Sequence, residues 1–218
     1  MPKHAVLRSD IYIYFSEDRE ITSQILSDEI GTTSFEILED EDLGKSESRG
    51  FSFGLYISLI RYFLKNEPHQ YQYGLCLTPD GPFAEWGEEI LIDNYLLSLL
   101  RNKGFPLLAE DDQRVKDTIL EGEVYFWDTR NIVEMTKMMN ALFASKFKMS
   151  SNTKSQAYML GLNVTLQDTG EEKNEQKKYL FSAKDHRIPA LTHPDVIDIT
   201  DYIKNIFTAE SVALAIED

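Results

Sequence analysis

The side chains able to do chemistry gather in two places. His186 sits in Asp185-His186-Arg187 and His193 in His193-Pro194-Asp195, the densest cluster of nitrogen and oxygen ligands in the chain. A metal centre needs ligands that converge and a shell of partners to hold them. The histidines are seven residues apart, in a stretch that also holds Pro189 and Pro194, and this matches no zinc pattern. The segment reads instead as a polar loop whose prolines fix the approach to a final helix. The second place is Thr78 to Glu89, where Asp80, Glu85, Glu88 and Glu89 could supply a carboxylate pair for acid–base work. It follows a strand, where ligands of open α/β sheets collect. Proline and glycine also make turns, however, and acids at a helix start answer its dipole, so the structural reading is preferred. As a hydrolase or transferase of unfamiliar type, the chain would have to bring Asp80, Glu85, His186, His193 and Asp195 into one pocket.

Other signals are absent. Arg49 to Gly54 has two glycines but lacks the lysine-serine ending of a phosphate loop, and no Gly-x-Ser-x-Gly elbow occurs. Met135, Met138 and Met139 lie at helical spacing and read as core packing. Cys76, the single cysteine, stands in an apolar strand-like run, which suits a small buried hydrophobe and excludes an intrachain disulfide. No cofactor is expected. The N-terminal residues do not resemble a signal peptide and no apolar run is long enough to span a bilayer, so a cytoplasmic setting is expected.

Charge is the most distinctive property. The 218 residues carry a formal net charge of −15, which argues against direct contact with nucleic acid or an anionic membrane. It suits a basic protein partner, or simply solubility. Acids concentrate from Ser16 to Glu47 and again from Asp195 onward, whereas bases prevail between Lys137 and Arg187. Glu36, Glu39, Asp40, Glu41, Asp42, Glu47, Asp195, Asp198 and Asp201 are therefore the candidate binding residues. Spaced carboxylates could also mimic nucleic-acid phosphates and so inhibit a DNA- or RNA-binding protein.

The elements that must position these groups begin with a strand over Ala5 to Phe15, shown by period-two alternation. Ser16 then caps a helix whose apolar face is Ile21, Ile25, Leu26 and Ile30, closed by Gly31. A strand from Ser34 to Leu38 leads into an acidic loop, Glu39 to Gly50. Phe51 to Lys65 is apolar at most positions and, on length, reads as a helix. Tyr71 to Leu77 is a strand, Glu85 to Lys103 a helix, Asp111 to Leu120 a short helix and Glu123 to Trp127 a strand. Asn131 to Phe147 is a helix. Ala157 to Leu166 and Lys178 to Phe181 form a hairpin connected by Asp168 to Gln176. Thr200 or Asp201 caps the last helix, and Ser211 to Ile216 is left open between strand and helix.

No internal repeat is visible. The expected fold is a single α+β domain with a mixed sheet, a β-α-β start and a C-terminal hairpin plus helix; Met149 to Gln156 offers a weak possible boundary. The expected function is a non-enzymatic acidic binding domain, of inhibitor, immunity or adaptor type, that docks on a basic protein.

Overall fold

A computed structural model describes residues 4–15, 19–33, 35–40, 45–63, 71–79, 87–105, 114–187, 191–209 and 215–216. The α+β expectation holds, with the strands shared between two mixed sheets. β1 (His4–Phe15) alternates as its sequence requires: Leu7, Ser9, Ile11 and Ile13 are buried and Tyr12 is exposed. α1 (Arg19–Ile30) buries Leu26 and Ile30 and closes at Gly31, whose φ of +67° favours glycine. Its expected cap, Ser16, lies outside the described residues. An antiparallel meander follows through β2 (Glu36–Asp40), β3 (Lys45–Ser52), β4 (Leu55–Phe63) and β5 (Tyr71–Pro79). β5 then pairs antiparallel with β1, placing Ile11 opposite Leu75. On the other side of β1 runs β6 (Gly87–Leu91), in parallel, and α2 (Asp93–Asn102) follows it. The strand order is β2-β3-β4-β5-β1-β6.

The remainder of the chain repeats this path. β7 (Thr118–Asp128) leads through α3 (Ile132–Leu142) to the meander β8 (Lys148–Ser151), β9 (Lys154–Met159), β10 (Leu162–Lys173) and β11 (Gln176–Asp185). β12 (Asp195–Asp198) pairs in parallel with β7 and is followed by α4 (Thr200–Ala209). The order, β8-β9-β10-β11-β7-β12, has the same sense at every junction as its counterpart. A short β13 (Ala215–Ile216) pairs with β7 beyond β12. An internal repeat is thus present, contrary to expectation. It is hard to see in the sequence because the loops differ in length and few positions are shared.

Several elements differ from the expected ones. Phe51 to Phe63, the described part of the expected helix to Lys65, is not helical: it holds the end of β3, a tight turn at Phe53-Gly54 and β4. Leu55, Ile57 and Leu59 point inward, but outward-facing Tyr56 and Ile60 are apolar too, which hides the alternation. The expected acidic loop is strand from Lys45 on. Glu85 to Lys103 divides at Ile92, because Gly87–Leu91 completes the sheet beside β1. Thr118 to Leu120, expected in a short helix, belongs to β7. Asn131 caps α3 through a capping box with Glu134, but the helix stops at Leu142. Ala157 to Leu166 turns back at Leu160-Gly161, and Asp168 to Lys173 extends β10 instead of serving as a connection. Met149 to Gln156 is the paired β8–β9 region. The last alternative resolves as strand at Ala215 and Ile216.

Both inner faces feed one hydrophobic cluster. α2 packs on β1 and also on β7, and α4 packs on β7 and also on β1. The Tyr95 hydroxyl, from α2, donates to the Leu160 carbonyl in the β9–β10 turn at 2.6 Å, while the Tyr202 hydroxyl, from α4, donates to the Phe53 carbonyl in the β3–β4 turn at 2.7 Å. Phe143 stacks between Phe53 and Phe181, at centroid distances of 5.5 and 5.4 Å. Aromatic area of this kind adds edge and stacking preferences to simple burial.

The turns tolerate little extra volume. A Cβ on Gly161 would lie 2.5 Å from Leu99 Cδ2 and 2.8 Å from the Tyr95 hydroxyl, whereas one on Gly104 meets nothing within 4 Å. Both glycines have positive φ. Gly104→Ala should therefore cost about 1 kcal/mol from backbone strain alone, and Gly161→Ala should add an overpacking penalty of roughly 1–3 kcal/mol. Urea unfolding of the two variants measures the difference; equal losses would contradict the packing described.

Candidate functional site

Of the acids singled out in the sequence, Glu36, Glu39, Asp40, Asp195 and Asp198 lie on edge strands. β2 and β12 are the outermost strands on their sides. Glu36 is exposed on β2; Glu39 and Asp40 belong to the same strand, and Glu41 and Asp42 lie outside the described residues. Glu47, on β3, is half-buried and held by Arg49, with Nε at 2.8 Å and a second nitrogen at 3.2 Å. Burial pushes its carboxyl upward, but hydrogen bonds from Arg49 and Ser58 outweigh that and leave it below the usual range. At the other margin Asp195, Asp198 and Asp201 are all exposed. Lys116 approaches Asp195 only to 3.9 Å, between two well-solvated groups, and contributes little.

Asp198 borders a concave surface. β7, β11, β12 and the start of α4 surround a hollow of about 340 Å³ lined by Glu121, Gly122, Glu123, Lys184, Asp198 and Thr200. Gly122 matters for the floor: a Cβ there would come within 2.9 Å of both Ile203 and the Thr200 nitrogen, so α4 sits directly on β7. Asp198 accepts from the Thr200 backbone N–H at 2.9 Å at the first turn of α4. Lys184 pairs with Glu123 at 2.7 Å, and Ser182 donates to the same oxygen at 3.1 Å. The hydrogen bond from Lys184 holds Glu123 below the usual carboxylate range, against the opposing effect of burial. Three carboxylates thus face one ammonium. Glu121, Glu123 and Lys184 were not foreseen as site residues, since only register places them beside Asp198.

Of the residues considered for catalysis, His186, His193 and Asp195 are described, and they are not joined to one another. His186, just past β11, has Nδ1 2.8 Å from the Gly161 carbonyl, and its ring meets Tyr158 edge-on. His193 is exposed with a φ of +54°, and Asp195 opens the β12 margin. Among the described residues no hydrogen bond or ion pair links His186, His193 and Asp195 to one another. Asp80 and Glu85 lie outside the described residues; Glu88 and Glu89 are exposed on β6. Nor do the described residues contain three or more His, Cys, Asp or Glu arranged to hold a metal ion. Cys76 is half-buried on β5, and its thiol donates to Asp10 at 3.2 Å. Burial and that carboxylate push its pKa up to about 12, so the nucleophilic thiolate is scarce near neutral pH.

The chemistry of the Asp185-His186-Arg187 stretch is structural. Arg187 is buried and donates from Nε to both Asp185 oxygens, from one terminal nitrogen to Ser98 Oγ at 2.8 Å, and from the other to the Thr118 carbonyl at 2.7 Å and Asp185 Oδ2 at 2.6 Å. The Tyr95 ring lies 5.5 Å from its Cζ. The buried pair ties β11, β7 and α2 together, a role that sequence reading missed because only the fold buries it.

Comparison with protein families, curated proteins and solved structures finds no match to this chain. No helix among the described residues is long and apolar enough to cross a membrane.

Two outcomes test this account. Arg187→Met should cost about 3–5 kcal/mol, because it leaves the Asp185 carboxylate buried and alone. Adding Asp185→Leu should restore part of the loss in urea unfolding; a double variant no better than the single one would refute charge stranding. Separately, Cys76 in the folded protein should react with an alkylating reagent far more slowly at pH 7 than the unfolded chain does. Equal rates, followed by mass spectrometry, would show the thiol to be free of the influences described.

Proposed function

We propose that the chain is a non-enzymatic binding protein that docks an acidic margin onto a basic protein partner, in the manner of an inhibitor, an immunity-type protein or an adaptor. The observation that carries the reading is the hollow beside β12, where Glu121, Glu123 and Asp198 outnumber Lys184, with Asp195 and Asp201 exposed on β12 and α4. A lysine or arginine from a partner would find compensating charge there without further rearrangement. The surplus of −15 extends the attraction beyond the contact and speeds encounter with a cationic surface. Glu36, Glu39, Asp40, Glu41, Asp42 and Glu47 contribute to that long-range field, while Asp195, Asp198 and Asp201 belong to the contact itself.

The test is recovery of the tagged protein from its native lysate in two forms, unaltered and carrying Asp195→Lys with Asp198→Lys. One stoichiometric basic protein should accompany the unaltered form at about 0.1 M salt, and it should be lost near 1 M, where the screening length has fallen from roughly 10 Å to roughly 3 Å. The charge-reversed form should lose it at both. A partner retained equally by both forms would remove the β12 margin from the reading. A partner that binds DNA or RNA and is displaced by polynucleotide would instead favour phosphate mimicry.

A further inference from the structure

Each half of the chain follows the path strand, helix, four-strand meander, parallel strand, helix, and each sheet has the same order under that correspondence. Sequence agrees where it is most constrained. Ser48 to Leu59 and Ser155 to Leu166 align without a gap: the serine, the Gly-Leu pair and the final leucine are identical, and Gly50/Ala157, Phe51/Tyr158, Phe53/Leu160, Ile57/Val164 and Ser58/Thr165 are close in kind. The same offset along the chain relates Ile92-Asp93-Asn94-Tyr95 to Ile199-Thr200-Asp201-Tyr202. Matching positions have matching geometry. Phe53 and Gly54 have φ of +52° and +77°, Leu160 and Gly161 of +49° and +74°. Ile92 N–H donates to the Arg8 carbonyl at 2.9 Å and Ile199 N–H to the Glu121 carbonyl at 2.8 Å. Ser48 and Ser155 are both fully buried, with hydroxyls that find no hydrogen-bond partner among the described residues.

A two-residue hairpin or a buried serine could arise independently in two places. Reciprocal contact between the halves is harder to obtain by chance. Tyr95 reaches from the first half to the turn of the second, and Tyr202, its counterpart, reaches from the second half to the turn of the first. α2 and α4 each lie on both β1 and β7, the corresponding strands of the two sheets. When residue i of one partner meets residue j of the other and the converse also holds, the interface is that of a twofold dimer. Divergence also falls at corresponding places: Asn205 donates to the Ala5 carbonyl at 3.0 Å where, in the other half, the Arg187 guanidinium and Ser98 serve Thr118.

We propose that the chain is two copies of one unit, residues 4–105 and 114–209, and that the inner surface of each is a self-recognition surface whose partner is another copy of that unit. The covalent connection makes intramolecular what would otherwise be a homodimer. It raises the effective concentration of the partner surface without supplying the contacts themselves.

The test uses the full chain with a protease site placed within residues 106–113 and cut after folding. The two pieces should remain a single one-to-one particle in size-exclusion chromatography and native mass spectrometry, and melting should become dependent on protein concentration once the connection is cut. Tyr95→Phe and Tyr202→Phe should each weaken association of the pieces by roughly tenfold, since each leaves a buried carbonyl without its donor. Pieces that separate as independently folded proteins would overturn the proposal, and so would an effect confined to one tyrosine. Should the inserted site prevent folding, the two tyrosine variants of the uncut chain decide: matched losses in urea unfolding support the correspondence, and a loss from one variant alone ends it.

Discussion

Two sheets with one apolar face each must both be kept dry, and the described structure follows from the way that is done. Neither inner face is covered by its own unit alone. α2 and α4 lie between the sheets, each touching both β1 and β7, and side chains from both sheets and helices merge in one cluster. Close approach then requires the turns at Phe53-Gly54 and Leu160-Gly161 to enter the interior with their carbonyls directed at protein. A buried carbonyl needs a donor, and Tyr95 and Tyr202 provide it. Burial in turn raises the pKa of both tyrosines, so they remain neutral donors across the ordinary pH range.

Parts of this arrangement were legible in the residues. β1 announced itself by alternation, α1 by its apolar face and closing glycine, and α3 by the helical spacing of Met135, Met138 and Met139. What failed was the distinction between a continuously apolar strand and a helix. Tyr56 and Ile60 face outward on β4 yet are large and mostly apolar, so beside Leu55, Ile57 and Leu59 only Ser58 marks the alternation. The division of Glu85 to Lys103 was hidden for another reason: only the neighbouring β1 makes Gly87–Leu91 a strand. The buried role of Arg187 could not be read locally, since Ser98 and Thr118 are remote in sequence. The hollow beside β12 combines β7, β11 and β12, and only one of its acids, Asp198, was foreseen.

The acidic margins have two physical consequences that do not compete. Carboxylates on outermost strands discourage another chain from adding to the sheet, which accounts for Glu36 on β2 and for Asp195 and Asp198 on β12 without any partner. The same groups create a field that a cationic surface would experience first. Distinguishing the two uses depends on Glu121 and Glu123. These lie inside the sheet margin, where protection of an edge gives no reason for their charge.

The path of the chain also dictates an order of completion during synthesis. β1 must wait for β5 and β6 before either of its sides is paired, and such long-range pairing is slow to form. Even then α2 alone covers only part of its inner face, because α4, the last helix among the described residues, supplies the Tyr202 bond and the Asn205 contact to Ala5. A ribosome pausing before residue 200 would hold a nascent chain with the apolar side of β1 incompletely covered. The first unit to be made is therefore among the last to be finished, and its protection until then falls to whatever shields emerging chains in the cell.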